Sequence, residues 1–419
     1  MSRSITGGGL GRRHILGGAA AVAGAQLAAP FLISARGEVP IKIGMVDEMT
    51  GPASMLGTSE HQGATLAVEQ INAKGGILGR QVELLLEDSA SDTGVGVQKA
   101  IKLIDRDHVN VLLSDPNSGI AYAQTQVTNQ KGVLNILPGA HTDPMTGTAC
   151  KWNVFRICGT TSMDASSITG TLVRKFGKRW FMITPDYAYG HTLQAAFIRD
   201  VKKLGGVVEA VLVPQTMLDF TATLIKAKLY KPTVLINNMY GQPQVDCMKQ
   251  FLQFGLERSI ALGGAIFELE DVISTPAAAQ SGWWNMEWWW NQPGVPHVAD
   301  FNAAIDKRFH VMPSARVWFG YVAVHSFRLA AEHSKGLDAL KMARALEGMV
   351  LPPEIALQPG KVFYRKNDHQ LMANIFVGEV HPPPKGGNKF DIFTPHKLVP
   401  GQEVAGTAAQ NGCHMTYPA

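Results

Sequence analysis

Hydrophobic positions along the chain follow two alternating periods. Short apolar runs such as "IKIGMV" and "QVELLLED" read as strands. Between them, "SEHQGATLAVEQINAKGG" spaces its apolar residues as a helix does, with Ala64, Ala67, Val68 and Ile71 on one face. Ser59 and Gln62 have capping-box spacing, which predicts the helix start there, and Gly75-Gly76 supplies its stop. The helix "GVQKAIKLIDRD", the strand "VNVLLSD", the helix "GIAYAQTQVTNQKG" and the strand "VLNILPGA" continue the series. A second series begins after Cys158 with "WFMITPD", "HTLQAAFIRDVKKLGG" and "VVEAVLVP", followed by "FTATLIKAKLYK", "TVLINNM" and "QVDCMKQFLQFG". Strand and helix alternating at this spacing predict βαβ units, hence an α/β fold of two lobes, each around its own parallel sheet.

The length of 419 residues agrees with two domains. Residues 1–35 are expected to stand apart as a twin-arginine export signal. Arg12-Arg13 precede a weakly apolar Ala/Gly-rich run that ends in small residues near Ala35. Glycines, Gln26 and Pro30 interrupt that run and make it a poor membrane anchor. A soluble, periplasmic mature protein is therefore expected. Residues 36–157 with about 291–355 are expected to form the first lobe, and 158–290 with about 356–382 the second. Residues 383–419 read as a strap and tail.

Composition narrows the function classes. The chain is 46% hydrophobic and 17% charged, as globular domains are. Residues 1–35 contribute three arginines and no acids, which leaves 35 basic and 34 acidic side chains beyond them. That balance offers no basic stripe for nucleic acid. Four cysteines, Cys150, Cys158, Cys247 and Cys413, permit up to two disulfides in an oxidising compartment, with three possible pairings. None forms a CxxC pair, and no nucleotide-loop, zinc-protease or hydrolase-elbow motif occurs in the part beyond the signal. No catalytic residue, cofactor or metal site is expected, although a spatial triad would not show in sequence order.

In open α/β sheets ligands bind at the carboxyl ends of the strands, and three loops there have suitable content. In "SDPNSGIAYA", Asn117, Ser118 and Gly119 lead into a helix, where backbone N–H groups and a hydroxyl can seat an anion; the same residues also suit ordinary capping. In "PGAHTDP", Ala140, His141 and Thr142 follow a strand, and the alternative is a simple turn in which the histidine does no chemistry. In "PDYAYGHT", Tyr187 and Tyr189 could close over a ligand with ring and hydroxyl, or face solvent in a turn.

The segments "GPASMLG", "GATLAVEQINAKGGILGRQVELLLEDSASD", "SGIAYA", "PDYAYG" and "FYRKNDHQ" occur in an order that resembles the type I periplasmic binding proteins, across residues 40 to about 380. These are receptors of ABC importers for branched-chain amino acids, amides, urea and aromatic acids. The resemblance implies two Rossmann-like lobes joined by a three-crossover hinge, a small ligand trapped between them, and a membrane permease as partner. A monomer is expected. By position it puts Ser118, Ala140 and Thr142 on a ligand carboxylate, Tyr189 and Tyr240 across from them, and Ser54 and Met55 at the cleft wall. Amino-acid receptors of this kind carry an acid that receives the α-ammonium. Here Ala265 falls at that position unless a shift brings in Glu268. An unpaired buried ammonium costs on the order of several kcal/mol, so an aromatic or keto acid, or an amide, is expected in preference to a free amino acid. A signalling module of the same fold and an exported enzyme are the alternative readings.

Five of the eight tryptophans lie in "SGWWNMEWWWNQP". Read as one strand, it turns Trp284, Met286, Trp288 and Trp290 to one side and Trp283, Asn285, Glu287 and Trp289 to the other. Most of these are expected in the core, with Trp288 stacking on a flat ligand at the cleft edge.

Overall fold

The structure is a computed structural model and describes residues 39–418; the expected export signal lies outside them. The first sheet contains β1 (Ile41–Asp47), β2 (Val82–Asp88), β3 (Val111–Leu113), β4 (Leu134–Leu137) and β5 (Val154–Arg156), in the order β2-β1-β3-β4-β5 and all parallel. Ile41, Ile43 and Met45 of the interior strand β1 are fully buried, as a parallel sheet covered on both faces requires. Helices α1 (Ser54–Ala73), α2 (Thr93–Ile101) and α3 (Ser118–Lys131) connect these strands.

Helix α1 starts at Ser54, five residues before the predicted cap. Ser59 and Glu60 are buried inside it, no side chain caps it, and the buried face runs upstream to Leu56. Tertiary burial therefore sets this helix start, and the capping-box spacing at Ser59 is incidental.

After β5 the chain enters the second lobe through α4 (Thr161–Phe176). It continues through β6 (Arg179–Pro185), α5 (Ala188–Lys203), β7 (Val207–Val213), α6 (Thr221–Tyr230), β8 (Val234–Asn237), α7 (Gly241–Gln253), β9 (Ala261–Gly263), α8 (Leu269–Ser274) and β10 (Trp283–Met286). It then returns to the first lobe for α9 (Val298–Phe309), α10 (Ala315–Ser334), α11 (Ala339–Leu346) and α12 (Pro353–Ala356). A third passage carries the short hairpin β11 (Phe363–Tyr364) and β12 (Leu371–Met372), and β13 (Asn374–Val380) and β14 (Phe393–Pro400) rejoin the second sheet antiparallel. That sheet has the order β14-β13-β10-β9-β8-β6-β7.

Helices α1 and α10 pack unusually closely. A Cβ on Gly63 would lie 1.8 Å from the Val317 carbonyl oxygen, and one on Gly320 would lie 1.9 Å from that of Glu60. Only glycine allows this approach, which sets Glu60 and Arg316 side by side.

Two features differ from expectation. The segment after residue 383 is more than a strap, because β14 extends the second sheet. Beyond it the tail makes a further passage to the first lobe. Cys413 is bonded to Cys150, Tyr417 donates to Glu347 at 2.7 Å, and the Arg344 guanidinium lies 3.4 Å over the Tyr417 ring. Cys158 and Cys247 are free and buried.

The tryptophan stretch is also not one strand. Pairing ends at Met286, and the alternation ends with it. Trp284 and Trp289 lie in the second-lobe core, whereas Trp288 lies in that of the first, donating to the Leu357 carbonyl at 2.8 Å and meeting Phe301 edge-on.

Candidate ligand-binding cleft

The carboxyl ends of β1, β3, β4, β6 and β8 converge between the lobes on a small enclosed cavity. The first lobe supplies Glu48, Leu56, Asn117, Ser118, His141 and Arg316, and the second supplies Tyr187, Tyr189, Tyr240 and Ile266. Its free space is only about 20 Å³, room for about one water. The lobes touch across it. The Thr142 hydroxyl donates to the Ala188 carbonyl at 3.1 Å, and Arg316 reaches Glu268 at 2.9 Å.

Each wall follows from local chain logic. Asn117 is the N-cap of α3, its Oδ1 accepting from the Gly119 and Ile120 N–H groups at 3.0 and 3.4 Å. The cap holds Ser118 at the helix start, where its Oγ accepts from the Thr142 N–H at 3.2 Å. Facing them, Tyr187, Tyr189 and Tyr240 form a cluster with ring centroids 5.8–6.1 Å apart. Two of the three enter α5 and the third precedes α7, so short strand-to-helix turns aim all three.

Arg316 sits in the first turn of α10, itself capped by Ser314. It donates to Glu60 at 2.8 Å, to the Gly139 carbonyl at 3.0 Å and to Glu268. Burial pushes the Glu60 carboxyl up to about 7 and the Glu268 carboxyl up to about 8, even against the pull of the guanidinium. Burial likewise raises Glu48, whose Oε1 accepts from the Ala53 N–H at 3.1 Å and from the Ser91 hydroxyl. Burial lowers His141, whose Nε2 lies 3.0 Å from Glu287.

Residues 40–388 match the model of a family described as periplasmic binding protein. The chain belongs to the periplasmic binding protein family. This periplasmic binding protein is 29% identical, over 81% of its length and 91% of the relative's, to a Leu/Ile/Val-binding protein of Rhizobium johnstonii. It is 26% identical to a Leu/Ile/Val-binding protein homolog of Brucella melitensis, over 77% of this chain and 86% of that one. A solved periplasmic binding protein from Burkholderia mallei superimposes with a TM-score of 0.82 at 24% identity, covering 89% of this chain and 97% of the other. A solute-binding protein of an ABC transporter from Rhodopseudomonas palustris, solved with 3,4-dihydroxybenzoic acid, superimposes at 0.78 with 22% identity, covering 86% and 98%. Among the described residues no helix is long and apolar enough to cross a membrane.

Of the residues named from the sequence, the cavity gathers Asn117, Ser118, His141, Tyr187, Tyr189 and Tyr240. Gly119 and Thr142 stand next to them in the hydrogen-bond network, and Ala140 is buried with its carbonyl 3.4 Å from Arg156. Ser54 and Met55 line a neighbouring cavity at the cleft edge instead, because the first turn of α1 points Ala53 and Leu56 inward. Ala265 packs in the second-lobe core and Ile266, at a φ of 58°, takes the cavity position. Glu268 reaches the cleft only through Arg316. Trp288 does not line the cavity, since its ring is in the first-lobe core. Sequence reasoning missed Glu48 and Arg316. The one local signal in "SARV" is a serine before an apolar helix, which suits a cap and says nothing of the inward arginine behind it.

Proposed function

We propose that this periplasmic binding protein is the exported, monomeric ligand receptor of an ABC importer and that it takes a small organic acid, with an aromatic or keto acid preferred to a free amino acid. The observation that carries the reading is the division of the cleft. A capped helix start with Ser118 and Thr142 faces three clustered tyrosines. The first suits a carboxylate and the second a flat ring, in a site that closes by hinge motion. Glu268 is held by Arg316 and Ala265 lies in the core, so neither is a free acceptor for an ammonium. The closed form would dock on a membrane permease and release its ligand unchanged.

A second reading, a branched-chain amino acid, is favoured by Glu48, an acid on the cavity wall, and by the Leu/Ile/Val-binding relatives. A thermal-shift screen of the purified protein separates the two. Benzoate, hydroxybenzoates, 2-keto acids, leucine, isoleucine and valine would each be tested at a hundredfold over their Kd, where a ligand specific for the folded state adds about 2.7 kcal/mol. Shifts with the aromatic or keto acids alone support the first reading. Shifts with leucine or valine alone replace it with the second. Chemical conversion of a bound compound would point to an enzyme.

A further inference from the structure

Beneath the ligand cavity, the geometry points to a divalent metal site formed by His141, Asp164 and Glu287. One ligand atom from each lies within 4.8 Å of the other two, and all three residues are buried. They come from three separate segments: the loop after β4, the first turn of α4, and the passage that leaves β10. His141 Nε2 lies 3.0 Å from Glu287 Oε2, and the other Glu287 oxygen accepts from the Gly159 N–H. A Cβ on Gly159 would fall 2.3 Å from Glu287 Oε1 and 3.4 Å from Asp164 Oδ1, so that glycine leaves the space the two carboxylates occupy.

The independent observation is Asp164 itself. It is fully buried, and neither carboxylate oxygen has a hydrogen-bond partner. A buried carboxylate without a donor is costly. The two buried arginines nearby do not serve it. Arg316 is committed to Glu60 and Glu268, and Arg156 donates to Gln370, the Thr142 carbonyl and Thr146. A dication between Asp164 and Glu287 balances their two charges and gives Asp164 the partner it lacks. One imidazole nitrogen with two carboxylate oxygens suits Zn²⁺, Mn²⁺ or Fe²⁺ better than Mg²⁺ or Ca²⁺, which favour all-oxygen sites. Such an ion would tie both lobes to the second passage, and so favour the closed arrangement.

The test strips the purified full chain with a chelator, then titrates Zn²⁺, Mn²⁺ and Mg²⁺ calorimetrically while metal content is counted by mass spectrometry. One Zn²⁺ or Mn²⁺ per chain is expected, with a higher melting temperature than the stripped protein. Asp164→Asn and His141→Gln should each weaken uptake at least tenfold. No stoichiometric uptake, or uptake unchanged in both variants, overturns the site. If either variant fails to fold, Co²⁺ loaded into the wild-type protein decides. A visible spectrum typical of nitrogen and oxygen ligation is expected; a strong thiolate band, as neighbouring Cys158 would give, or no bound Co²⁺ at all, refutes the assignment.

Discussion

The two walls of the cleft are built from different chemistry. The first-lobe wall is ionic and polar, with Glu48, the Asn117 cap, Ser118 and Arg316 fixed by hydrogen bonds within that lobe. The second-lobe wall is three tyrosines and Ile266, whose rings touch mainly one another. The difference assigns separate tasks. On the proposed reading, the preorganised polar wall would orient a small ligand while the lobes are apart, and the aromatic wall would remove water when they close. Arg316 joins the walls, because its partners Glu60 and Glu268 belong to opposite lobes.

Removing that join should have the largest effect. Arg316→Met leaves two buried carboxylates without their cation and should cost about 3–5 kcal/mol in denaturant unfolding. A loss under 1 kcal/mol would mean that the walls are independent. Next comes Tyr240→Ala, which takes a large ring from the second-lobe wall and should weaken ligand binding by about 1–2 kcal/mol in calorimetry, roughly tenfold. Unchanged affinity would move the aromatic contact to Tyr187 and Tyr189 alone. Ser118→Ala removes the acceptor of the Thr142 N–H and should cost about 1 kcal/mol of stability, with a parallel loss of affinity if the first-lobe wall orients the ligand.

The smallest effect is on pH dependence. Glu60 and Glu268, raised to about 7 and about 8, keep protons in the folded state that the unfolded chain has already released. Their contribution is fully present below their ordinary value of 4.5 and is lost as pH rises through 7 and 8. Buried His325, lowered to about 3 by burial, acts in the opposite direction, but only as pH falls below its ordinary value of 6.5. Between about pH 4.5 and 6.5 the two effects oppose each other, and above that the melting temperature should fall until it levels off above about pH 8. Glu268→Gln should flatten that slope, and an unaltered slope would remove Glu268 from the account.

Much of the fold was legible because parallel strands are short apolar runs and their helices carry a one-sided stripe. That the Asn117–Ser118 loop and the tyrosine turns would border one cleft was legible for a related reason, since both immediately follow strands and strand ends border the cleft. Arg316 was not. It comes from a helix nearly 200 residues after the Ser118 loop, and its partner Glu60 reads as a surface position inside a helix. Their meeting depends on the glycine contact between α1 and α10, which no local window contains. Trp288 was misplaced because alternation was carried past Met286, where the strand stops.

The Cys150–Cys413 bond closes a covalent ring, with residues 39–149 before it and residues 414–418 after it among the described residues. The bonded cysteines are 263 residues apart, and every strand of the second sheet lies inside the loop they close. A pull applied at the ends of the described chain can pay out only the segment before Cys150 and the few residues after Cys413. At about 3.5 Å per residue that is roughly 400 Å of slack, and the second lobe carries no load. Mechanically the first lobe is the fuse and the second is isolated from the circuit. A protease nick anywhere within the loop would leave both pieces on one tether.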